Sequence, residues 1–184
     1  MFGLPPLPPW SGAHPIIVHF PIALLSIAPI FVLLALVART YRLQFMVSAL
    51  VLLGIGTLGA FLATWSGEAT EHAITMTEEM HRLVHEHEEA AELARNIFIG
   101  ITAAFTLLTL GVWKIERVRK LGGAALVLIL LAQVAGTLVL ANAGHLGGML
   151  VHEHGLRAPM GGAQASPDAG TPLTQPAAAE NDAD

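Results

Sequence analysis

Apolar residues in this chain run in long unbroken blocks instead of alternating or recurring at helical spacing with polar residues between. Four blocks stand out: Ile16 to Ala38, Leu43 to Trp65, Ala94 to Trp113 and Leu121 to Ala141. The third has Arg95 at its edge and is clean from Asn96 onward. A hydrocarbon layer of about 30 Å takes about 20 helical residues to cross, so each block is long enough to be a span. Buried helices of a soluble protein are the competing explanation. Four such blocks in 184 residues leave too little polar chain to cover them. The pattern therefore predicts an all-α integral membrane four-helix bundle. Gly54, Gly56, Gly59 and Ala60 in the second span, and Gly100 and Ala104 in the third, offer small faces for close helix contact. Pro15 suits a first turn, whereas Pro21 and Pro29 are expected to kink the first span or widen a turn.

The polar connections set the expected direction. Arg39 and Arg42 lie between the first two spans, and Lys114, Arg117, Arg119 and Lys120 between the last two. Basic loops stay in the cytoplasm, so both termini and the 66–93 connection are expected on the outer, periplasmic side of a bacterial inner membrane. The first 13 residues lack a basic n-region, so the first span reads as a retained anchor rather than a cleaved signal. Within the outer connection, Thr75 followed by Glu78 resembles a capping box. No Gly or Pro follows before the third span, which predicts an amphipathic helix over about 76–93 that continues into it. Residues 1–155 then form one domain. From 156 to 184 the chain is mostly small residues, Pro and acids, the composition of a disordered tail. No internal repeat is long enough to argue from.

Composition sharpens the picture. Charged residues are 12% and apolar residues 54%, with mean hydropathy +0.62. A net charge of −5 with nine basic residues argues against nucleic-acid binding. Without Cys there is no disulfide, thiolate metal site or Cys-linked haem. Nine His beside a single Tyr is the unusual feature.

All nine fall at the outer ends of spans or in outer segments under this orientation: 14, 19, 72, 81, 85, 87, 145, 152 and 154. Counting outward at 1.5 Å per residue puts His14 and His145 roughly 7 Å, and His87 roughly 10 Å, above the hydrocarbon edge, with His19 deeper. Three helices can thus present imidazoles to one layer. His87 follows Val84 by three residues and precedes Ala91 by four, which places it on the inward face of the outer helix. It is either a ligand or a core His bonded to backbone. His81 and His85 share the opposite face with Glu78, Glu88 and Glu89, a weak metal signal that a solvated face explains as well. HEHEE lacks the second His of a zinc-protease helix. His14 and His19 lie about 140° apart on a regular helix and cannot share one ion there. Gly147 and Gly148 after His145 would let a flat cofactor approach, or simply end a helix. His152 and His154 are weaker metal candidates.

HPIIVHFPIAL at His14–Leu24 and HLGGMLVHEHG at His145–Gly155 resemble the opening and closing segments of a bacterial four-span membrane family catalogued as domain of unknown function 2231. His87, within HEEAAELAR, resembles that family's His near the start of span three. The resemblance covers roughly residues 13–155. Many members carry a Tyr at the position of His152, and the cluster at His81 and His85 departs from the common pattern. The family is described as an uncharacterised membrane domain, sometimes considered cytochrome-like and sometimes found with electron-transfer partners. Matched residue by residue, it implies His14, His19, His87, His145, Gly147 and Gly148 as the site.

The leading expectation is a membrane protein that holds haem b through His ligands of different spans near the periplasmic face. It would carry electrons rather than act as a stand-alone enzyme. The alternatives are a Cu, Zn or Fe site on the same face, or a structural subunit without cofactor. Expected partners are the lipid bilayer and a periplasmic or membrane redox partner, with a homo-oligomer also open.

Overall fold

The computed structural model describes residues 7–157, the side chains of 118–121 excepted. Of the tail expected over 156–184, the residues from 158 onward lie outside the described residues, and Leu156 is packed at the end of the bundle. Among the described residues there is no strand. The elements are α1 (His14–Ile17), α2 (His19–Val37), α3 (Arg42–Glu71), α4 (Glu78–Lys114) and α5 (Glu116–His152), with 3-10 turns at Trp10–Gly12 and Arg39–Tyr41. Four of the helical stretches are long and apolar enough to cross a membrane.

Local chemistry explains the boundaries. Pro21 has no N–H for the carbonyl of Ile17, and the first span breaks at Val18, between α1 and α2. Pro29 leaves α2 as one helix. The helix after the outer connection starts at Thr77, whose hydroxyl accepts from the N–H of Met80 at 3.4 Å. Thr75, the residue expected to cap, lies outside it. From Glu78 the helix runs unbroken to Lys114, roughly 55 Å at 1.5 Å per residue and so well beyond the hydrocarbon. At the far end of α5, Gly155 takes positive φ (65°) and turns the chain so that the N–H of Leu156 reaches Leu150 O at 2.9 Å. Leu156 packs there with Leu83, Val84 and Leu150, a small apolar cluster outside the spans.

The helices form a square. Contacts join α2 to α3, α3 to α4, α4 to α5 and α5 to α2, so α2 and α4 are diagonal, as are α3 and α5. The N-terminal ends of α2 and α4 meet the C-terminal ends of α3 and α5 at one end of the bundle. Arg39, Arg42 and Trp113 line a groove at the other. Leu25, Val32, Met46, Leu53, Phe98 and Phe105 fill the centre, all fully buried. Large apolar side chains such as Ile30, Val51, Leu107 and Leu128 point outward, as lipid contact requires. The aromatic residues bracket them. Trp10 meets Trp65 edge-on at one end (5.3 Å between ring centres), and Tyr41 and Trp113 are exposed at the other, matching the belts at the two membrane interfaces.

Close approach of α2 and α3 depends on glycine. A Cβ at Gly56 would sit 2.7 Å from Leu25 Cδ2 and 2.8 Å from its Cγ, while one at Gly54 would touch nothing within 4 Å. Leu25 is fully buried and has nowhere to swing. Gly56→Ala is therefore expected to lower stability by about 1–3 kcal/mol, the usual cost of overpacking. Gly54→Ala should be neutral or slightly stabilising, and thermal unfolding of both in one detergent checks the contrast.

Candidate functional site

The end of the bundle with the Trp10–Trp65 contact brings together two of the nine imidazoles. His14, at the start of α1, and His87, ten residues into α4, come from diagonal corners of the square. Their ring centres are 6.3 Å apart and their planes stand at 87°. Both rings are half-buried. Each is tied to the neighbouring helix. His14 Nδ1 lies 3.0 Å from Ala63 O and 3.1 Å from Ser66 Oγ, both on α3. His87 Nδ1 lies 2.8 Å from Ala143 O on α5. A backbone carbonyl can only accept, so Nδ1 carries the proton in both rings. Burial lowers the pKa of both rings and so favours their neutral form, in which Nε2 is a bare acceptor, and it has no hydrogen-bond partner among the described residues. Ser66 is fully buried and donates to Ala63 O at 3.0 Å, so its oxygen is left to accept from His14. Thr70, one turn on, donates to Ser11 O at 2.6 Å and holds the 3-10 turn before α1 in place.

Glycines set how closely the rings seat. A Cβ on Gly67 would lie 3.3 Å from His14 Cε1, and one on Gly147 would lie 3.1 Å from His87 Cε1. Gly147 is inside α5, which runs through to His152, so the glycine pair does not end the helix. Gly148 borders a shallow surface groove with His145, Met149, His152 and Glu153. His145 is exposed and does not join the pair. His19 is also exposed, and its Nδ1, at the start of α2, donates to Pro15 O in α1 at 2.6 Å. His81 and His85 lie on the solvated face, with His85 3.3 Å from Glu89. His152 is exposed at the end of α5, and His154 lies beyond it. Among the described residues no three His, Asp or Glu side chains converge on a point that could hold a metal ion. The common layer expected for His14, His87 and His145 thus contains one facing pair and one outward ring.

The pair, its anchors and the four spans account for most of the chain, and the family match covers the same extent. The sequence profile described as "Predicted membrane protein (DUF2231)" matches residues 11–159. The chain belongs to the DUF2231 family. No curated protein and no solved structure matches it. Membership fixes a multi-pass membrane protein and leaves its chemistry to the geometry.

In this DUF2231 member, Ala63, Ser66, Gly67 and Ala143 carry the pair, and none of them stood out in the sequence. Ser66 read as one more small polar residue near the end of an apolar run. Its one available signal was its spacing, three residues from Ala63 and four from Thr70 along a single helix face.

Proposed function

We propose that this protein holds one haem b between His14 and His87 and passes single electrons at the outer face of a bacterial inner membrane. The carrying observation is the pair of imidazoles from diagonal helices, each anchored through Nδ1 to a backbone carbonyl, with ring centres 6.3 Å apart and neither Nε2 partnered among the described residues. Metal–imidazole bonds of about 2.0–2.1 Å, with about 1.2 Å from each nitrogen to its ring centre, put two rings on one ion roughly 6.5 Å apart. The observed spacing falls within a few tenths of an ångström of that. Two imidazoles alone leave most bare ions short of ligands, and among the described residues no third His, Asp or Glu converges on the pair. A macrocycle that brings its own four nitrogens completes the set. His14 and His87 would hold the haem, which would supply a one-electron couple whose potential the surrounding protein tunes. The chain's residues do the rest. The backbone carbonyls of Ala63 and Ala143 fix both tautomers and raise the basicity of the free nitrogens. The bundle end lies at the level of Trp65, where a partner outside the membrane can approach within electron-transfer reach.

The test is an absorbance spectrum of the protein purified in mild detergent. A Soret band and a reduced α band of b type, at one haem per chain, are expected. A colourless protein with stoichiometric copper, zinc or iron by elemental analysis would replace haem by the bare-metal reading. A colourless and metal-free protein that also fails to take up haemin would remove both.

A further inference from the structure

The two anchored imidazoles are built alike. In α3, Ala63 accepts from His14 and Gly67, four residues on, packs against the ring. In α5, Ala143 accepts from His87 and Gly147, again four residues on, packs against that ring. The correspondence extends into the membrane. Seven residues before each alanine, Gly56 seats Leu25 and Gly136 seats Phe98. Leu25 and Phe98 are each eleven residues after their His. Burial keeps the same register: Pro21 with Ala94, Ala28 with Ile101, Val32 with Phe105, and Met46 with Leu126 are buried at matching positions. The helices that correspond are the diagonal ones, which run in the same direction. This is the arrangement that a half-turn about the bundle axis, relating α1–α3 to α4–α5 through the imidazole pair, would produce.

We propose that the site is the meeting point of two copies of one helical hairpin, and that Gly67 and Gly147 are equivalent positioning residues for the two rings. Among the hydrogen-bond partners of the two rings, Ser66 is the asymmetric addition. Its counterpart is Leu146, so His14 shares its proton between two acceptors and His87 gives its proton to one. The two imidazoles therefore differ in basicity although their seats are the same. The proposal rests on the haem reading only for what fills the gap between the rings, since the seats are a property of the protein alone.

The experiment has an arm for each part. Nitrogen-15 spectra of the full chain without haem, labelled at His, should show Nδ1–H imidazoles for both His14 and His87. Ser66→Ala should move the Nδ1 signal of His14 and leave His87 in place. Leu146→Ser should move His87 towards the His14 position and leave His14 in place. Gly67→Ala and Gly147→Ala should each disturb the ring they face and not the other. Circular dichroism keeps the variants comparable, and if either glycine variant loses helicity the Ser66 and Leu146 pair decides alone. In a haemin titration the two glycine variants should weaken binding alike, within about the 10–100-fold cost of losing a supporting group around a metal ligand. Different tautomers in the two rings, or a Ser66→Ala change felt equally at both, would overturn the proposal. Failure of the wild-type chain to take up haemin would sink the haem reading while the nitrogen signals still decide this one.

Discussion

On the proposed haem reading, replacing either His14 or His87 by Ala is expected to cost haemin affinity by more than about 100-fold, beyond the 10–100-fold that residues behind a metal ligand command. The matching changes at His19, His81, His85 and His145 should leave it intact. The asymmetry follows from placement. His14 and His87 are half-buried, have ring centres 6.3 Å apart and have no Nε2 partner among the described residues, whereas the other four are exposed. Loss of fold is not a competing cause. Each imidazole contributes hydrogen bonds to a neighbouring helix, worth about 0.5–1.5 kcal/mol apiece, against a bundle held by its spans. Helicity should therefore persist in both variants. The two single variants should also behave alike, because each leaves one imidazole on the iron, and both should shift the spectrum towards a five-coordinate form where any haem remains. Retention of the b-type spectrum by the His14→Ala, His87→Ala double variant would refute the assignment. So would its loss in His145→Ala alone.

The four spans were legible because hydrocarbon thickness imposes length and uniformity at once, and few other structures demand both. The inward position of His87 was legible for a related reason: the outer helix is amphipathic, and Val84 and Ala94, both buried, set the phase that His87 obeys. That phase argument failed in the first span. There both faces are apolar and Pro21 breaks the helix at Val18, so nothing in the sequence ranked His14 above His19. His145 shared the depth of the pair but not its direction, and depth was all that counting residues could supply. Carbonyl anchors such as Ala63 O and Ala143 O are backbone atoms and leave no mark on residue type. The two-hairpin relation was hidden twice. Its identical positions are few, and its halves differ in length, with 49 residues between His14 and Ala63 but 56 between His87 and Ala143. The extra seven residues amount to about two helical turns, added at the end away from the imidazoles, so no single offset aligns the halves.

Where the halves diverge, the divergence has a cost that can be measured. Gln133 in α5 is fully buried, and neither its amide oxygen nor its amide nitrogen has a hydrogen-bond partner among the described residues. Its counterpart in α3 is Leu53, also fully buried. Gln133 lies ten residues inward of Ala143, roughly 15 Å down the helix, where lipid surrounds the bundle. Bulk water cannot satisfy an amide at that depth. Gln133→Leu, which restores the residue type of the other half at similar volume, is expected to raise stability by about 1–3 kcal/mol. A higher thermal midpoint in the same detergent, with the haem spectrum unchanged, is the expected reading. A lower midpoint would mean that the amide has a partner in the folded protein, such as an enclosed water. A stability gain accompanied by a shifted haem potential would tie the orphaned amide to the imidazole pair above it, and would explain why one hairpin kept a polar side chain that the other lacks.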